Sequence, residues 1–144
     1  MPAELSQVGH GEPSIRVLGD NGDERGPSFS VPQEYLRFLG AAGDMHIACI
    51  LPGHTRGNHY HVLRVELIVV VHFDRFSMYW DCGADTEPSS RSFEGEGAVA
   101  IAIPKHSSHA IVNDGDEPLW LAATSDGPYN PDAPDAHRRV VTPS

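Results

Sequence analysis

The chain has 144 residues and a net charge of −10, with 20 acidic and 10 basic side chains, a length that fits one domain. Lys105 is the single lysine among those basic residues, so no clustered basic surface exists to neutralise nucleic-acid phosphates or dock an anionic membrane. A hydrophobic content of 40% against 21% charged is a globular balance, and 14 glycines with 12 prolines punctuate the chain too often for long helices.

Residues 1–30 carry Pro2, Pro13 and Pro27 and no helical period; they read as a loosely held, partly ordered arm with one strand at 15–18, expected to pair with a second subunit. Residues 31–40, VPQEYLRFLG, fit a short helix or a strand. Strands are then expected at 45–51, 59–61, 66–72, 76–81, 91–93, 98–103, 109–112 and 119–124, separated by turn signals such as Pro52-Gly53, Asp74-Arg75 and Asn113-Asp114-Gly115-Asp116. Short Val- and Ile-rich strands at this spacing imply an all-β sandwich or barrel over 31–125. The tail 126–144 holds Pro128, Pro131, Pro134 and Pro143, which excludes a regular helix.

In ELIVVVH, residues 66–72, period-two alternation puts Glu66, Ile68, Val70 and His72 on one face and Leu67, Val69 and Val71 on the other. Both faces are apolar, so the strand needs cover on both sides. An outer face of Leu67, Val69 and Val71 is too apolar for a monomer and implies a homodimer. The opening MPAELSQVGHGEPS has no leader pattern, and the runs 67–71 and 98–103 fall far short of the ~20 residues of a bilayer span. Cys49 and Cys82 form no CxxC pattern; the reading is a reduced cytoplasmic protein, with a single disulfide left open.

Histidine is the unusual residue, with nine in all and seven of them between positions 46 and 109. His59 and His61 are two apart, so on a strand both rings project from one face. Glu66 follows after a bend, and His109 lies on a distant strand. Two or three imidazoles and one carboxylate converging in a barrel would hold one divalent transition metal (Zn, Fe, Ni, Mn or Co). The competing reading is a pair of strand histidines that binds nothing.

Gly53, His59, His61 and Glu66 fall at the spacing G-x5-H-x-H-x4-E, which resembles the first motif of the cupin superfamily. The stretch 104–113, PKHSSHAIVN, resembles the second motif, P-x-G-x2-H-x3-N. The resemblance implies a single-domain double-stranded β-helix, or jelly roll, of the RmlC-like kind, with His59, His61, Glu66 and His109 as metal ligands. Phe73 replaces the closing glycine of motif one, and His106 the glycine of P-x-G; His106 either takes a positive φ there or stands at the mouth of the site. RGNHYH at 56–61 is similar to segments of capsular polysaccharide assembly proteins and of dTDP-4-dehydrorhamnose 3,5-epimerases. Asp23-Glu24-Arg25-Gly26 with Phe29, and YNPDAPD at 129–135, resemble two further segments of that group.

The activity so implied is an epimerase or isomerase acting on a sugar nucleotide or keto sugar. An Fe(II)-dependent dioxygenase and a non-enzymatic small-ligand-binding cupin are the alternatives. Arg56 is the candidate clamp for a phosphate or carboxylate, or else a solvated loop arginine. His106 is the candidate acid or base, or else a surface turn residue, with His46 and His54 as further pocket candidates. Tyr60 should point out of the cavity, Trp80 and Trp120 should fill the core or an interface, and Asn113 should fix a turn.

Overall fold

The computed structural model describes residues 11–144. Among them run β1 (Ser14–Leu18), α1 (Gln33–Leu39), β2 (Asp44–Ile50), β3 (Thr55–Tyr60), β4 (Glu66–His72), β5 (Phe76–Trp80), β6 (Ser89–Phe93), β7 (Gly97–Ile103), β8 (His109–Asn113), β9 (Leu119–Ser125) and β10 (His137–Arg138). They form two five-stranded sheets, ordered β1-β7-β4-β9-β2 and β10-β3-β8-β5-β6. Every pairing is antiparallel. Strand makes up 45% of the described residues and helix 5%, so the expected all-β jelly roll is the fold.

The alternation of β4 is realised. Ile68 and Val70 enter the core between the sheets, with Val99, Ile101, Ile103 and Leu121 from their own sheet and Phe76, Met78 and Ile111 from the other. On the opposite face, Leu67 packs with Tyr35 and Leu39 of α1 and with Ala98, Ala100 and Ala102 of β7. Three alanines in one outward row of β7 leave the room in which α1 lies. The cover expected over the outer face is thus supplied at Leu67 by the chain's own helix. Leu67 is 4% exposed under the chain's own helix, a burial worth ~2 kcal/mol, while Val71 remains 38% exposed.

Residues 31–40 therefore resolve as helix. Gly40, at φ 77, ends α1 and donates its N–H to the Leu36 carbonyl at 2.9 Å. The Tyr35 hydroxyl meets Ser14 Oγ at 2.9 Å, and Arg16 pairs with Glu34 at 3.1 Å, fastening α1 to β1. Of the expected arm, residues 1–10 lie outside the described residues. Residues 14–18 are an edge strand laddered to β7 of the same chain. Asn113 does fix a turn: it accepts from the Gly115 N–H and donates to the Ile50 and Glu117 carbonyls. Trp80 is buried at 9% exposure, whereas Trp120 stands 54% exposed on the outer face. Cys49 and Cys82 are not bonded to each other, and no helix of the described residues is long and apolar enough to cross a membrane.

Candidate metal centre

The site grows from a bulge in β3. Gly57 (φ 110) and Asn58 (φ 58) are both left-handed, and the register against β8 shifts between Gly57 and His59. A side chain at Gly57 would bring its Cβ to 2.5 Å from the His109 carbonyl oxygen, so only glycine lets β3 and β8 approach here. Beyond the bulge His59 faces His109 directly across the ladder. Asn58 tolerates its conformation and is held by the tail: it accepts from the Val141 N–H at 2.9 Å and donates to Thr142 Oγ1 at 3.2 Å.

Nitrogens of His59, His61 and His109 come within 4.8 Å of one another. Glu66, the first residue of β4 and turned inward, completes the group. Its carboxylate lies 3.3 Å from His109 Nε2 and 3.7 Å from His61 Nε2. Nδ1 of His61 donates to the Asp135 backbone carbonyl, and Nδ1 of His109 to that of Ser107. Because a carbonyl only accepts, each ring in its neutral form presents an Nε2 lone pair toward the carboxylate. Lone pairs converging on an anion repel unless a cation sits among them. His61 Nε2 is buried with no hydrogen-bond partner in the protein, as a nitrogen meant for a metal would be.

The protonation states agree. Burial, then the neighbouring His109 and His61, lower the His59 pKa to about 4. Burial likewise lowers that of His61. Burial would raise Glu66, but the close contact with His109 and the surrounding imidazoles outweigh it and hold its pKa at about 2. At neutral pH His59 and His61 are thus neutral and Glu66 ionised, the forms that ligate metal.

This cluster lies in a cavity of about 420 Å³ between the sheets, with Ala48, Ile68, Ile111 and Leu121 among its apolar walls. His46 lines it beside Ala48, from the inner face of β2, while Met45 and Ile47 stand exposed on the outer face. Arg56 lines it too, with Nε donating to the Cys49 carbonyl at 2.9 Å. The other two candidates stay outside. His54 belongs to an adjoining concavity with Cys49 and Leu51, which shares Thr55 and Arg56 with the first. His106 is exposed in the turn before β8 at φ 70, its N–H donating to the His61 carbonyl at 2.7 Å. Of the two alternatives for the missing glycine, His106 takes the positive φ. Tyr60 is outside the cavity, stacked on His137 at 5.2 Å under the Arg139 guanidinium at 4.3 Å.

Two residues of the site escaped the sequence reading. Arg64 lines the cavity from the β3–β4 connection; its only signal was a basic residue between the HxH pair and Glu66. Asp135 fixes the backbone beside His61, its carboxylate accepting from the Val62 and Leu63 N–H groups at 3.0 and 2.8 Å. It was quoted within the tail segment but given no task. The tail is anchored nearby by Arg139, which grips the buried Asp81 carboxylate through Nε and Nη2 at 2.8 and 2.9 Å.

Residues 21–137 match the family model described as the polysaccharide biosynthesis C-terminal domain. No curated protein matches the sequence. Among solved structures the chain is similar to a dTDP sugar isomerase from Desulfovibrio desulfuricans, with TM-score 0.71, 16% identity, and coverage of 89% of this chain and 83% of that one. A 3'-monoepimerase from Streptomyces bikiniensis, solved with dTDP-quinovose, gives TM-score 0.70 and 16% identity over 88% of this chain and 68% of that one. A capsular polysaccharide assembling protein from Staphylococcus aureus gives TM-score 0.60 and 22% identity over 85% of this chain and 32% of that one, so this chain spans about a third of its length. These are likenesses of fold, that of an RmlC-like cupin. With most of its length under that family model, the chain belongs to the polysaccharide biosynthesis C-terminal domain family.

Proposed function

We propose that the protein is a metal-dependent epimerase or isomerase of a nucleotide-linked keto sugar. The observation that carries this reading is the meeting, in one cavity, of a metal-fitting cluster with an imidazole outside that cluster, His46. Structural neighbours that act on or hold dTDP sugars support it. His59, His61, Glu66 and His109 would hold the metal, and the donor set suits Zn, Fe, Ni, Mn or Co. When bound, such an ion supplies electrophilic polarisation of the sugar carbonyl oxygen. His46 takes the proton from the carbon next to that carbonyl and returns it on its own side to a neighbouring atom, or to the same carbon after the intermediate has turned its other face to His46, so no net atom is lost. It replaces His106, the stronger candidate on sequence, because only His46 of the two lines the cavity. Arg56 holds the diphosphate at the rim, where a planar guanidinium suits bidentate phosphate. The apolar walls keep water from the carbanion.

The same proposal includes a homodimer in a reducing compartment. Its support is the outward strip of Met45, Ile47 and Trp120, at 60%, 69% and 54% exposure, beside Val71, together with the two unbonded thiols.

The test is proton NMR of a dTDP-linked 4-keto-6-deoxyhexose in D2O with metal-loaded protein. Deuterium should enter at a carbon beside the carbonyl, and His46→Gln should slow this by ~10²–10⁴-fold with metal content unchanged. Wild-type protein that exchanges no proton overturns the reading.

A further inference from the structure

Arg64 and His61 share an anomaly. Among the described residues, three buried side-chain nitrogens find no partner, and two of them, His61 Nε2 and Arg64 Nε, belong to residues lining the same cavity. The two are opposite in kind. His61 Nε2 offers a lone pair, which a cation satisfies. Arg64 Nε carries a proton, which a cation repels and only an acceptor satisfies. A metal ion alone therefore completes half of the site.

Arg64 is unlike the other arginines whose partners are visible. Arg16, Arg25 and Arg139 each pair with a carboxylate, whereas among the described residues no carboxylate pairs with Arg64. Packing explains its stem, since Arg64 Cβ lies against Gly127, but not its charge. A partly buried guanidinium without a counterion is costly unless a ligand supplies one. The cavity lining holds two guanidiniums, Arg56 and Arg64, against one carboxylate, Glu66, in a molecule of net charge −10. The acidity of the whole is reversed at this spot, which draws anions to it.

We propose that Arg64 is the anion receptor inside the cavity, taking an oxyanion of the ligand side-on through Nε–H and one Nη–H. Among the described residues no hydrogen bond to Nε holds the guanidinium in its present orientation, so its Nε edge can turn toward the ligand. The oxyanion belongs to a phosphoryl or a carboxylate group, and this deepens the sugar-nucleotide reading on which it rests.

Calorimetry on the metal-loaded protein uses two probes: dTDP, which has the diphosphate and no sugar, and glucuronate, which has a sugar carboxylate and no phosphate. Arg64→Met keeps the bulk against Gly127, and Arg64→Lys keeps the charge without the fork. Wild type should bind one probe, Arg64→Met should weaken it by ~10–100-fold, and Arg64→Lys should fall between, with metal content and melting temperature unchanged. The probe that responds names the oxyanion. Equal binding by wild type and Arg64→Met, or binding of neither probe by wild type, overturns the proposal. Arg64-dependent binding without proton exchange in any keto sugar would sink the epimerase reading and leave the receptor standing.

Discussion

His61 is oriented by Asp135, a residue 74 positions away in the chain whose backbone carbonyl accepts the Nδ1 proton while its carboxylate ties down the next two backbone N–H groups. One tail residue thus sets both the ring tautomer and the loop that carries it. Asp135→Ala keeps the carbonyl but releases the loop, and should weaken metal binding by ~10–100-fold. Competition with a fluorescent chelator measures this; unchanged affinity would show that β3 alone positions the ring.

A metal held by the cluster stabilises the folded chain and not the unfolded one. At a hundredfold excess over Kd the gain is about 2.7 kcal/mol, on the order of 8 °C in Tm for a domain of this size. Chelator should lower Tm by that amount in wild type. His61→Ala should melt at the same temperature with and without chelator.

The metal-free protein should lose stability as pH falls. His59 titrates at 6.5 in the unfolded chain and about 4 when folded, so between those values the unfolded state binds more protons and acid favours it. Glu66 adds a second fall from 4.5 toward about 2, since its depressed pKa means that folding loses ground once the unfolded carboxyl protonates first. Urea midpoints should be flat above about pH 6.5 and decline steadily below it. A flat profile down to pH 4.5 would contradict the burial of an uncharged His59.

His106 sits at φ 70, where a side chain is strained. His106→Gly should be neutral or stabilising by up to ~1 kcal/mol, the cost of a non-glycine residue in this region. Proton exchange into a keto sugar should be unaffected. A hundredfold loss of activity without loss of metal would return His106 to the chemistry.

Ile47 is 69% exposed at the centre of the outward strip. Ile47→Glu should turn a dimer into a monomer by light scattering at micromolar concentration, leaving Tm of the monomer near that of the parent. A wild-type monomer at that concentration rejects the interface.

What was legible in the sequence was what local periodicity and motif spacing encode. Alternation in 66–72 placed Ile68 and Val70 inside, and the HxH pair with Glu66 and His109 did come together. What was not legible depended on information held elsewhere in the chain. The cover over Leu67 came from α1, whose period is too short to separate helix from strand at 31–40. His106 looked like an acid–base group because imidazole titrates near neutrality, but its backbone points it to solvent. The unpartnered Nε of Arg64 is a property of the packed cavity and has no trace in residue order.

The bulge at Gly57 and Asn58 also bears on how the hexapeptide 56–61 is used as a signature. Gly57 is there because the His109 carbonyl leaves no space for a Cβ. Asn58 is there because it bends left-handed and knits the tail to β3. Neither residue needs to touch a ligand to be required. The five residues GNHYH that follow Arg56 therefore announce a backbone crossing that aims two imidazoles inward, and say nothing about which molecule meets them. Searches that assign a substrate from this segment would be sorting proteins largely by architecture; residues such as His46 and Arg64, which line the cavity from other positions, are where substrates would be told apart.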